Sequence, residues 1–100
     1  MSPENGGRIE LRLGQASSES AEYEAHLLTS DGSWRATVRV GKSAGAQRVE
    51  FGAWQAESLS APPEWLTSDA RAALNAALRT SQAEGRWPRR ITRWRPEPSP

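Results

Sequence analysis

The chain has no cysteine. Disulfides and thiolate metal sites are therefore excluded, and a reducing, cytoplasmic setting is the expectation. Histidine occurs once, as His26. A serine or threonine nucleophile needs a neighbouring base, usually histidine, so that chemistry has one place in the chain to occur. Clusters of several histidines around a metal are excluded by the same count. No uncharged apolar run approaches the ~20 residues that span a bilayer, so no membrane partner is expected. Met1 to Gly7 hold no apolar run either, which speaks against a secretory signal there. Lysine is nearly missing, with Lys42 the one exception among 13 basic residues.

What is present fits one small domain. One hundred residues bury roughly 60–70% of the surface the unfolded chain exposes, enough for one modest core. The formal net charge is only +1 and selects no partner by itself, but its distribution is uneven. Residues 1–85 hold eight basic and eleven acidic side chains, a balance of −3, whereas residues 86–100 hold five arginines and one glutamate, a balance of +4. Such asymmetry points to a basic C-terminal segment. Alanine and arginine are both favoured by GC-rich codons, so arginine content alone is no recognition signal.

Apolar alternation marks the strands. Arg8-Ile9-Glu10-Leu11-Arg12-Leu13 puts Ile9, Leu11 and Leu13 on one face and charges on the other. Gly14 to Ala21 reads as a loop. Tyr23 to Leu28 and Trp34 to Val40 flank Asp31-Gly32, a dipeptide suited to a two-residue type I′ turn. That turn pairs Leu27 with Ala36, Ala25 with Val38 and Glu24 with Arg39. Gly41 to Gln47 reads as a polar loop. Arg48 to Trp54 forms a further strand with Val49, Phe51 and Ala53 inward, and a bulge at Gly52 would return Trp54 to the core.

Pro62-Pro63 introduces one helix. Leu66, Ala70, Ala73, Leu74, Ala77, Leu78 and Ser81 make a stripe at helical spacing. The start lies at Pro63 or at an N-cap on Thr67 or Ser68, and Gly85 ends it. The expected fold class is α+β: a four-stranded antiparallel meander (β-β-β-β-α) with the helix packed on one face and an Arg/Trp-rich C-terminal segment. The domain spans residues 8–95. Residues 1–7 and the Pro-rich 96–100 read as disordered ends.

Chemistry is sparse. His26 falls on the outward sheet face. Gly41-Lys42-Ser43-Ala44-Gly45 lacks the earlier glycine a phosphate loop requires. Glu22 and Glu24 share a face, and strand arginines such as Arg39 are their natural partners. No EF-hand spacing appears. Neither a catalytic site nor a cofactor, a metal or a small-molecule substrate is expected. The segment Arg86 to Arg95 carries five arginines, Trp87 and Trp94, and no acid. Arginine forks onto phosphates and tryptophan stacks on bases. The same residues can instead fold back on the domain, with arginine stems covering apolar surface. The element order is similar to the single-strand-binding folds of the PUR and Whirly kind, at the level of order alone.

Two functions follow as expectations. The first is a non-enzymatic binding or assembly module that engages a protein partner or its own copy. The alternative is a small single-stranded nucleic-acid-binding protein. Candidate binding residues are Arg35, Arg39, Trp87, Arg89, Arg90, Arg93 and Trp94.

Overall fold

Alternating strands and one striped helix can bury their apolar sides only against each other. The computed structural model describes residues 6–30, 32–43, 46–56 and 61–96. Its elements are β1 (Gly6–Ala16), β2 (Ser20–Thr29), β3 (Gly32–Ser43), β4 (Ala46–Phe51), β5 (Gln55–Ala56), α1 (Glu64–Glu84) and β6 (Arg90–Pro96). All strand pairings are antiparallel, in the order β4-β3-β2-β1-β6, with short β5 also on β3. The chain winds out to the β4 side, returns through α1 across one face, and finishes beside β1.

The expected α+β class holds, but the strand count does not. Among the described residues the sheet has six strands rather than four, and Arg90–Pro96 is not a tail appended to it. The likeness in element order also ends here, because a strand follows the helix. The strands run longer than their apolar cores. β1 begins at Gly6, inside a segment expected to be loose, and β6 includes Pro96. The rest of those ends, residues 1–5 and 97–100, lies outside the described residues. Most of the loop expected over 14–21 is strand as well. β1 reaches Ala16 by placing Gly14 as an extra residue between the pairs Leu13–Tyr23 and Gln15–Glu22. Ser17 closes the tight connection, its Oγ accepting from the Ser20 N–H at 3.2 Å.

The β2–β3 hairpin forms in a register two residues from the expected one. Leu27 faces Trp34 rather than Ala36, Ala25 faces Ala36, and Glu22 rather than Glu24 faces Arg39. A shift of two keeps every side chain on its face, so alternation alone cannot separate the registers. The turn argument fails at Gly32. A two-residue type I′ loop over Asp31-Gly32 would place Gly32 inside the turn, whereas Gly32 is the first residue of β3 and pairs with Thr29. Asp31 itself lies outside the described residues. The observed register sets Tyr23 against Val38 and brings Glu22 within 3.7 Å of Arg39.

β4 and β5 bracket the expected bulge. Four positions separate Phe51 from Gln55, yet their partners Val38 and Arg35 are three apart. The extra residue follows Gly52, whose N–H donates to the Thr37 carbonyl at 2.8 Å. Trp54 is thereby turned inward and stacks on Phe51, ring centroids 5.3 Å apart. Ala53, expected inward, is exposed instead.

The helix keeps its predicted stripe. Leu66, Ala70, Ala73, Leu74, Ala77, Leu78 and Ser81 are its buried residues. The earlier start prevails, with Pro63 as N-cap and its carbonyl accepting from the Leu66 and Thr67 N–H groups, both at 3.1 Å. Gly85 ends it at φ 77°, and its N–H donates to the Ser81 carbonyl. The stripe meets Ile9, Leu11, Tyr23, Leu27, Trp34, Val38 and Val40 from the sheet, and Trp87 and Ile91 complete the core. No helix among the described residues is long and apolar enough to cross a membrane.

Candidate binding surface

With α1 on one face, strand alternation leaves the other face uncovered. Its rows follow from the register. Trp94, Arg8, Leu28 and Ser33 stand in one row across β6, β1, β2 and β3. Thr92, Glu10, His26 and Arg35 make the next, and Arg90, Arg12, Glu24 and Thr37 the third. A fourth row runs Glu22, Arg39, Glu50 over β2, β3 and β4.

Charges of both signs alternate on this face, and part of them pair. Arg8 lies 3.5 Å from Glu10, Arg39 3.7 Å from Glu22, and Arg48 3.9 Å from Glu50. All are exposed or half-exposed, so each contributes about 0–1 kcal/mol. Arg12, Arg35 and Arg90 have no carboxylate within 4.0 Å among the described residues. Arg12 and Arg90 are direct cross-strand neighbours, a like-charge placement that favours neither. They share a shallow depression of about 130 Å³ with Glu10, Glu24, His26 and Arg35. Burial, and then the Arg35 guanidinium, hold the His26 imidazole below its ordinary range, while Glu10 and Glu24 pull it the other way. None of the described residues that line the depression carries a hydroxyl. Among the described residues no group of three or more His, Asp and Glu is placed to hold a metal ion.

The Arg/Trp segment divides between core and surface. Trp87 is only 7% exposed. Its ring meets Tyr23 edge-on with centroids 6.5 Å apart, and its Nε1–H donates to the Ser17 carbonyl at 2.9 Å. The Leu13 N–H donates to the Arg89 carbonyl at 2.8 Å. Trp87 is thus occupied in closing the domain and is unavailable for stacking on a ligand. Ile91 is also buried, whereas Trp94 is 54% exposed. The helical spacing of Trp87, Ile91 and Trp94 misleads here, because in a strand positions 91 and 94 face opposite ways. Trp94 lies over Gly6, where a Cβ would collide with its ring.

The candidate residues therefore fall in four places. Arg35, Arg39, Arg90 and Trp94 share the open face. Arg93 takes the helix side of β6, opposite Ile9. Arg89 is exposed just before β6. Trp87 belongs to the core. Sequence reasoning missed Arg12 as a neighbour of Arg90, since nothing local announces that β6 returns to β1.

No protein-family model matches the chain, and no curated protein or solved structure matches it at a significant level.

Proposed function

We propose that this chain is a non-enzymatic binding module whose uncovered sheet face, together with its rim at β6, receives a protein partner. The observation that carries the reading is Trp94, 54% exposed where the open face meets the last strand of the sheet. Tryptophan is among the residue types most enriched at the energetic centres of protein interfaces. The surrounding charges alternate in sign, an arrangement that orients a partner of mixed charge. A polyanion would meet Glu10, Glu22, Glu24 and Glu50 on the same face. Single-stranded nucleic acid is the second reading, and two of its expected contacts are already engaged: Trp87 in the core and Arg39 with Glu22.

Selection from a random peptide library against the immobilised protein, followed by titration of the enriched peptides, tests the proposal. Enriched peptides are expected to bind the wild type and to weaken on Trp94→Ser. Failure to enrich any peptide, together with oligothymidine binding whose log K falls linearly with log salt, would assign the face to nucleic acid.

A further inference from the structure

The β1–β6 ladder determines which backbone groups of β6 stay free. The Leu13 N–H donates to the Arg89 carbonyl. These two residues continue the register that sets Leu11 against Ile91, Ile9 against Arg93 and Gly7 against Arg95. Antiparallel pairs alternate between exchanging hydrogen bonds and not exchanging them. Ile91, Arg93 and Arg95 therefore turn their N–H and C=O groups toward β1. Arg90, Thr92 and Trp94 turn theirs outward, to a rim beyond which no described strand lies. Pro96 falls in the outward set, where a missing N–H removes nothing from the sheet.

The geometry points to β6 as a docking edge for an extended acidic peptide of a partner protein, added to the sheet as a further strand. The inference rests on the protein-binding reading above and names the partner's chemistry. The outward N–H groups of Arg90, Thr92 and Trp94 recur every second residue, about 6.6–6.8 Å apart, the spacing at which an added strand presents its carbonyls. Charge selects the occupant. The stretch from Arg86 to Pro96 contains no acid, and among the described residues only Arg95 of that stretch has an ion pair, 3.9 Å from Asp69. Arg90 stands on the open face and Arg93 on the helix side. Acidic side chains pointing to either face of an incoming strand thus meet an arginine. A second copy of β6 would bring a strand of the same charge to this edge, with five arginines and no acid between Arg86 and Pro96, which is unfavourable. Trp94 supplies apolar contact at the rim.

The test uses the full chain and a labelled, capped peptide of about eight residues, long enough for one ordinary strand. Its glutamates are spread over both faces, with valine and threonine between. The controls are its lysine-for-glutamate counterpart and an oligothymidine. The acidic peptide is expected to bind roughly tenfold or more tighter than the lysine counterpart, a difference of about 1.4 kcal/mol or more. Thr92→Pro removes the middle outward donor and no β1–β6 bond, so it should abolish binding. Arg90→Glu combined with Arg93→Glu should weaken it by a similar factor, and bound peptide should slow hydrogen exchange at Arg90, Thr92 and Trp94. Should Thr92→Pro disturb folding, the arginine variants and the exchange data decide. Equal binding of the lysine counterpart overturns the proposal, as does unslowed exchange at those three amides. Peptide binding that survives Thr92→Pro in a folded protein but falls with Arg35→Ala overturns the edge and retains the protein-binding face. Oligothymidine binding with no peptide binding overturns both.

Discussion

The Tyr23 hydroxyl donates to the carbonyl of Pro88, 2.5 Å away and 65 positions along the chain. The residues on either side of Pro88 are tied to the same hairpin end, Trp87 through Ser17 and Arg89 through Leu13. Three consecutive residues are thus hydrogen-bonded to β1, β2 and their connection immediately before β6 begins. Buried polar groups that lose a partner are costly, because water cannot replace it.

Tyr23→Phe keeps the ring and deletes the donor. It should destabilise the protein by about 1–3 kcal/mol, read from denaturant melts. The same hydroxyl carries a pH signature. Burial pushes its pKa from 10.0 up to about 12. The folded chain then holds the proton more tightly than the unfolded chain does. This contribution to stability is fully present below pH 10 and is lost as pH rises toward 12. Tyr23 is the only tyrosine, so phenolate absorbance reports it alone. Titration near 10 in the folded protein would contradict its burial, and Tyr23→Phe should flatten the alkaline loss of stability.

The helix stripe yields a second prediction. Leu74 and Leu78 are 0% and 1% exposed, so replacement of either by alanine should cost about 2–5 kcal/mol. Arg71 lies off the stripe, where a surface substitution ordinarily changes stability by no more than about 0.5 kcal/mol. Here it does more. Its guanidinium donates to the Val49 carbonyl at 2.8 Å and sits 5.2 Å from the Phe51 ring centroid, holding α1 to the β4 edge. Arg71→Ala should cost about 1 kcal/mol, between those two values. Equal losses for Arg71→Ala and Leu74→Ala in the same denaturant would refute the assigned stripe.

The elements that could be read from the sequence are those whose pattern is local. The α1 stripe, its Gly85 end, the alternation of Ile9 and Leu11, and the bulge that returns Trp54 all show in a few consecutive residues. What could not be read depends on distant partners. Gly6-Gly7 resembles a loose end, because glycine adds nothing to a strand by itself. In the fold each glycine is a place of close approach: Trp94 covers Gly6 on one face, and the Leu66 methyls stand 2.8 and 2.9 Å from where a Gly7 Cβ would be. Trp94 and Leu66 are 88 and 59 positions away from the glycines they cover. β6 hides for the same reason. Its inward positions read Ile91, Arg93, Arg95, with apolar character only at the first, so alternation is too weak to mark a strand. The hairpin register failed because its two alternatives share their faces and differ only in which pairs meet. Of the candidate residues, Arg35 and Arg39 were visible on the open face from strand alternation, whereas Arg90 was not, because β6 was not legible as a strand. Nor was the split between Trp87 and Trp94, since it requires knowing that Arg90–Pro96 is extended.

That split is the last prediction. Trp87 and Trp94 have the same chemistry, lie seven positions apart and are 7% and 54% exposed. Trp87→Ala removes a buried ring and its hydrogen bond to Ser17, and releases the segment that leads into β6. A loss of about 3–5 kcal/mol is expected, a large fraction of the roughly 5–15 kcal/mol that holds a domain together. Deleting residues 86–100 takes away Trp87, Ile91 and the whole of β6, so the truncated chain should melt far lower or fail to fold. Trp94→Ser uncovers Gly6 but leaves the core intact, and should cost no more than about 0.5–1 kcal/mol. Thermal melts of the three proteins order them if the segment closes the domain: wild-type-like for Trp94→Ser, strongly lowered for Trp87→Ala, lowest for the truncation. A truncated chain that melts like the wild type would show that residues 86–100 are an appended arm, and the binding edge assigned to β6 would fall with it. A stable, folded Trp94→Ser protein that has lost its peptide ligands would instead locate function on the one large aromatic that the fold leaves exposed among the described residues.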